Sequence, residues 1–229
     1  MTGSNRRRLA TERPTILLAT RSSGKLRELS EILRDFDLQV IDLEAAGIPI
    51  GPAEDAIESF ATFEQNALAK ARYFHALSGR MPTIADDSGV VVDALGGAPG
   101  VLSKRFSGRD DLSGAALDAA NNEKLMSELA RIDRELWARG ESAAPRTARY
   151  VCVAAFVGAA GEIVRDGRIE GRIIDHPRGS GGFGYDPYFE SPDLEGTFAE
   201  ADWSLKSRVS HRGRAFRALL PALRDRGWA

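Results

Sequence analysis

The sequence predicts an α/β protein built on a mixed sheet, and three observations predict it. The first 92 residues alternate short apolar runs with amphipathic stretches, in the order strand, helix, strand, helix, strand. A long helical stretch follows at 112–139. A run of extended segments at 149–174 then precedes the last helix, as in a meander rather than a further parallel repeat.

Each element has a local reason. Thr15 to Ala19 (TILLA) is a short buried strand, and Arg21-Ser22-Ser23-Gly24 leads into a helix striped by Leu26, Leu29 and Leu33. Leu38 to Leu43 reads as a strand and Gly47 to Asp55 as loop. Thr62-Phe-Glu-Gln65 fits a capping box for a helix with Phe63, Ala67, Ala71 and Phe74 inward and Gly79 as its stop. Pro82 to Ala85 is expected as a strand, cut by Asp86-Asp87-Ser88-Gly89 and resumed at Val90 to Val92. Gly96 to Gly100 is a turn. Arg149 to Val157 and Glu162 to Val164 form a hairpin, and Arg168 to Ile174 is expected as a third antiparallel strand. A glycine-rich loop covers Gly179 to Pro187, and Ser210 caps the last helix, with Phe216, Leu219, Leu220 and Leu223 inward.

Composition narrows the function. The chain has 229 residues, 43% hydrophobic and 28% charged, which suits one large globular domain or two intertwined lobes. A net charge of −2 argues against a nucleic-acid coat or a basic membrane binder. The longest apolar stretch, Val151 to Ala160, is about half of the roughly 20 residues of a membrane span. A single cysteine, Cys152, fits a reducing, cytoplasmic setting. Residues 1–14, with Arg6, Arg7 and Arg8, read as a flexible Arg-rich tail before a single domain at 15–229. Only five of the 31 basic residues are lysines (25, 70, 104, 124 and 206), and the other 26 are arginines. Such scarcity suggests lysine where a compact ammonium is needed.

Four groups of residues can carry chemistry. Thr20 to Lys25 places small polar residues, glycine and a lysine between a strand and a helix, an anion site by its N–H groups, although an ordinary βα turn fits as well. Asn66 and Lys70 share a helix face, solvated or functional, with Glu58 at the helix entrance. Asp86 and Asp87 end an apolar strand, where paired carboxylates suit a metal or a general base, and where a β-turn with Asp caps is the alternative. Phe183-Gly184-Tyr185-Asp186, Lys206 and His211-Arg212 offer an aromatic face and base-edge donors. Together they describe a nucleoside triphosphate site with a divalent metal.

The segments ILLATRSSGKLRE, ESFATFEQNALAKA, ADDSGVVVDALGGAPGVLS, GSGGFGYDP and KSRVSHRGRA resemble, in order, those of the inosine/xanthosine triphosphate (RdgB-type dITP/XTP) pyrophosphatases. That resemblance implies an elongated mixed α/β sheet with two lobes around a nucleotide cleft, and a homodimer. It implies hydrolysis of aberrant purine triphosphates to the monophosphate and pyrophosphate with Mg²⁺ or Mn²⁺. By motif, Thr20, Arg21, Ser22, Ser23, Gly24 and Lys25 would grip phosphate. Asp87 would accept a proton and, with Glu58, hold the metal, while Lys25 and Lys70 would offset charge. Asp86 would orient Asp87. Asn66, Ser88, Phe183, Gly184, Tyr185, Asp186, Lys206, His211 and Arg212 would surround the nucleotide. Ser22 stands where the family loop often has asparagine. A Maf-type pyrophosphatase, selecting pyrimidine or modified nucleotides, is the alternative of similar architecture, and a non-catalytic nucleotide-binding regulator is the alternative of another class.

Overall fold

The computed structural model describes residues 13–228. Of the expected tail, all but Arg13 and Pro14 lies outside them. Seven strands form one sheet in the order β2-β1-β3-β4-β5-β6-β7. β1 (Thr15–Leu18) pairs in parallel with β2 (Gln39–Asp42) and with β3 (Thr83–Val92). β4 (Thr147–Gly158), β5 (Gly161–Ile173), β6 (Phe189–Ser191) and β7 (Gly196–Thr197) continue antiparallel. The helices are α1 (Ser23–Leu33), α2 (Phe63–Leu77), α3 (Gly114–Ala138), α4 (Trp203–Val209) and α5 (His211–Arg224). This is the mixed α/β sheet expected.

The period of two along a strand divides the core. Ile16, Leu18 and Ile84 face α1 and α5, against Leu29, Leu33, Phe216 and Leu219. Leu17, Ala19 and Ala85 face the other way, against Ala67, Ala71 and Phe74 of α2. Further along the long strands, Val90, Val92, Tyr150 and Ile169 gather with Leu125 and Leu129 of α3 and with Phe189 and Phe198. β3, β4 and β5 thus run through both ends of the molecule. α2 begins where expected: Thr62 is extended and its hydroxyl accepts from the Gln65 N–H at 3.2 Å, a cap typically contributing about 1 kcal/mol.

Two expectations are corrected. Asp86 to Gly89 do not cut the strand: β3 is continuous, because β4 offers it an unbroken ladder, with Asp86 opposite Ala154 and Gly89 opposite Val151. Arg168 to Ile174 is not a third strand but the second half of β5, which pairs with β4 along its whole length. The short elements β6, β7 and α4 carry too few residues to show a period.

Candidate active site

The centre is built where β3 passes between α1 and α2. Successive strand residues point to opposite faces, so Asp86 and Asp87 do not face each other. Asp87 turns toward α2. Its Oδ2 accepts from Asn66 Nδ2 at 2.9 Å, and its Oδ1 from the Ser88 N–H at 2.9 Å. Asn66 is fully buried, and its Oδ1 accepts from the Phe60 N–H at 2.9 Å. Its amide is therefore spent on orienting Asp87, and no face of it is open to a ligand. Lys70, also buried, pairs with Glu58. Arg105 donates to the Glu58 carbonyl at 2.7 Å, which fixes the backbone of the α2 entrance.

Asp86 turns toward α1 and α5, where Lys25 pairs with it at 3.1 Å and Arg212 at 3.3 Å. It does not orient Asp87, as the sequence suggested. Burial pushes the Asp86 carboxyl up, but Lys25, Arg212 and Lys70 together hold it well below the usual carboxylate range. Asp87 goes the other way: burial, then Glu58, raise it, outweighing Lys25, Lys70 and Asn66. The neighbour that raises Asp87 is Glu58, not Asp86. Glu58 is lowered despite its burial, chiefly by Lys70, Lys25 and Lys104. Lys70 is raised despite its burial, by Glu58, Asp86 and Asp87. Of the three acids, Glu58 and Asp86 each hold a cation, and Asp87 has no ion-pair partner among the described residues.

The phosphate-loop candidate forms the N-terminus of α1. Ser22 is its cap, accepting from the Lys25 N–H at 3.3 Å, and Thr20 accepts from the Ser22 N–H at 3.2 Å. Ser23 and Gly24 lie in the first helical turn, whose N–H groups and dipole favour an anion. The Arg21 side chain points elsewhere, bonded to Glu54 at 3.0 and 2.8 Å and to the Pro49 carbonyl at 2.9 Å.

The tail residues assemble against the same helix. The Phe183 ring lies on Gly24, so close that a Cβ there would stand 2.7 Å from it. Lys206 Nζ and the Arg212 guanidinium are 5.7 and 5.8 Å from the Phe183 ring centre, within cation–π range. Asp186 accepts from Lys206 at 2.7 Å, from the Phe183 N–H at 2.9 Å and from the Tyr150 hydroxyl at 3.2 Å. Tyr185 donates to the Ser103 carbonyl at 2.8 Å. His211 is buried, stacked on Tyr150 at 4.6 Å, and its Nδ1 has no partner. Burial, then Arg212 and Lys206, keep its imidazole neutral, well below its ordinary value. Arg212 bonds Glu28, Asp86 and, at 2.8 Å, the Ser88 hydroxyl. Three of its five N–H donors are thereby committed.

Sequence reasoning missed Glu28. This buried α1 carboxylate pairs with Lys206 at 2.8 Å and with Arg212. It joins the tail to the phosphate loop through an alternating series, Asp186–Lys206–Glu28–Arg212–Asp86–Lys25. The available signal was its position one helical turn before Ile32, on the side of α1 that Ile32 and Leu29 bury.

Comparison with known proteins identifies the family. The sequence profile of the Ham1 family matches residues 16–222. A dITP/XTP pyrophosphatase of Halorhodospira halophila is 42% identical over 211 residues, covering 91% of this chain and 96% of that protein. One of Mycolicibacterium paratuberculosis is 44% identical over 209 residues, covering 91% and 95%. A HAM1 protein of Coxiella burnetii superposes with a TM-score of 0.73 at 35% identity, covering 92% of this chain and 98% of that one. A profile matched over nearly the whole described chain, and relatives matched along nearly their own full length, place this protein in the Ham1 family.

Proposed function

We propose that the chain hydrolyses aberrant purine nucleoside triphosphates, those of inosine, deoxyinosine and xanthosine, to the monophosphate and pyrophosphate, and so removes them from the nucleotide pool. The observation that carries the reading is the unequal partnering of the three acids. Glu58 and Asp86 are neutralised by lysines, while Asp87 is oriented by two N–H donors, raised, and left without a cation. That is the state required of a proton acceptor. The full-length relatives named dITP/XTP pyrophosphatase support the same substrate class, and the Ham1 match sets the Maf alternative aside.

Asp87 and Glu58 present hard carboxylate oxygens, near enough to one another that the charge of Glu58 raises Asp87. No third metal-ligating side chain joins them among the described residues. Two acids with room for waters and phosphate oxygens suit Mg²⁺, or Mn²⁺, better than an all-protein calcium cage. When bound, the ion supplies charge neutralisation on the phosphate oxygens. Asp87 takes the proton from a water attacking phosphorus, with Asn66 holding its carboxylate in place. Lys25 and Lys70 balance negative charge along the phosphates, and the α1 N-terminus, from Ser22 to Gly24, receives them. Phe183 offers its ring to the base, while Lys206, Asp186, His211 and Arg212 shape the surroundings. In the same reading the chain is one two-lobed domain, acting as a homodimer in the cytoplasm on a small molecule rather than on nucleic acid or membrane.

The test is pyrophosphate release. Inosine triphosphate with Mg²⁺ should be cleaved, thymidine and uridine triphosphates should be cleaved far more slowly, and chelator should abolish turnover. Preferred cleavage of the pyrimidine nucleotides would overturn the substrate class, and no cleavage of any would leave a binding protein. Light scattering tests the dimer.

A further inference from the structure

Helix α3 belongs to none of the four groups, yet one of its turns holds the loop that carries Phe183. Gly184 is gripped on both sides. Its N–H donates to Asp118 Oδ2 at 2.9 Å, and its carbonyl accepts from Asn122 Nδ2 at 2.8 Å. Asp118 and Asn122 are one helical turn apart and share a face. The Asn122 amide also donates to the Asp118 carbonyl at 2.9 Å. Gly184 has φ of +63° with open space where a Cβ would be, so the glycine serves the backbone conformation rather than a close approach.

This arrangement leaves an acceptor orphaned. Asn122 Oδ1 is buried without a partner. The amide cannot simply be turned over, because both partners of its nitrogen are carbonyl oxygens. A residue present only to pack the helix would be apolar and would carry no such unpaired atom. Local departures of this kind concentrate where a site must be held in one geometry. The neighbouring Asn121 holds a second loop, donating to the Lys104 carbonyl at 3.0 Å and accepting from the Ser107 N–H at 2.8 Å.

We infer that Asp118 and Asn122 are positioning residues for the purine: they fix the Gly184 turn, and with it the Phe183 ring that receives the base. This rests on the nucleotide reading above. The experiment compares inosine triphosphate as substrate with inorganic triphosphate as a competitive inhibitor that carries no base. Asp118→Ala and Asn122→Ala should each raise KM for inosine triphosphate about 5- to 10-fold, as expected for one hydrogen bond. In both, kcat should stay within about twofold and inhibition by inorganic triphosphate should be unchanged. Asp118→Asn keeps an acceptor and should restore KM. Asn122→Asp keeps the shape but loses the donor, so it should show the same rise even if the alanine variant fails to fold. An equal loss of affinity for both ligands, or an unchanged KM throughout, overturns the inference. If the wild-type protein does not turn over inosine triphosphate, the function itself is refuted. The positioning role is then decided by amide hydrogen exchange: Asn122→Asp must speed exchange across residues 183–186, and unchanged exchange overturns it.

Discussion

Glu28 is the residue on which the buried ion network turns, and replacing it should be costly out of proportion to its size. Glu28→Gln keeps volume and shape, so little cavity term enters. It removes the negative charge facing both Lys206 and Arg212, two cations that are themselves buried. Taking one partner from a buried ion pair costs about 3–5 kcal/mol; Lys206 keeps Asp186 and Arg212 keeps Asp86, but one positive charge of the buried series is left in excess. A domain of this size has roughly 5–15 kcal/mol in total, and each kcal/mol moves the melting point by about 2–4 °C. Glu28→Gln should therefore melt about 6–20 °C lower at pH 7. Glu190→Gln is the control, since Glu190 pairs with the exposed Arg172 and Arg178 at 2.5 Å. Such surface pairs contribute about 0–1 kcal/mol. Calorimetry with and without 0.5 M salt separates the two, since screening weakens exposed pairs more than buried ones. If Glu28→Gln melts within about 2 °C of wild type, the network contributes no stability and the excess-charge argument fails.

Other outcomes follow from the same geometry. Asp87→Asn should lose at least about 10²-fold in turnover while staying folded; a folded variant of near-normal turnover would remove Asp87 from the chemistry. Lys25→Arg and Lys70→Arg should impair turnover, since each ammonium sits in a tight carboxylate contact, whereas Lys124→Arg, in an exposed i, i+4 pair, should be silent. Three variants alike would defeat the compact-ammonium argument. Gly24→Ala should raise KM by displacing Phe183, the new Cβ meeting its ring at 2.7 Å, without the stability loss of a core change, since alanine favours the helix by about 1 kcal/mol; an unchanged KM counts against Phe183 as the base platform. His211 has a pKa depressed below its unfolded value, so the unfolded chain binds the extra proton. Its contribution is complete above about pH 6.5 and is lost as pH falls below that, at up to about 1.4 kcal/mol per pH unit. His211→Asn should flatten the fall in melting point between pH 6.5 and 5, and an unaltered slope would place the proton uptake elsewhere.

The parts of the site that were legible in the sequence are those set by near neighbours. The caps at Thr62 and Ser210, the apolar stripes of α1, α2 and α5, and the βα turn before Lys25 all depend on residues within a few positions of one another. The scarcity of lysine carried information too. Lys25, Lys70 and Lys206 each meet a carboxylate in or near the core, while Lys124 stays on the surface. What was not legible spans the chain. Arg212 meets Glu28 across 184 positions and Asp86 across 126. No periodicity reports a partner at that separation, so Arg212 read as a base-edge donor and Glu28 as nothing.

The reading of Asp86 to Gly89 as a break in the strand failed for a definite physical cause. Two aspartates, a serine and a glycine are turn formers by propensity, and two buried carboxylates in mid-strand would ordinarily be prohibitive. Here each acid is accommodated on its own face. Asp86 is met by Lys25 and Arg212 on one side, and Asp87 by Asn66 and the Ser88 N–H on the other. Gly89 is not bending the chain either. A Cβ at that position would stand 2.3 Å from the Ser103 hydroxyl and 2.4 Å from the Gly100 carbonyl. The glycine is there so that the 100–105 segment can close onto β3, with the Val90 N–H donating to Ser103 at 3.0 Å. That closure brings Arg105 to the Glu58 carbonyl and sets Lys104 close enough to lower Glu58. The four residues that look like a break in the strand are therefore the means by which one continuous strand places a free acid on one face, a neutralised acid on the other, and a basic segment along its edge.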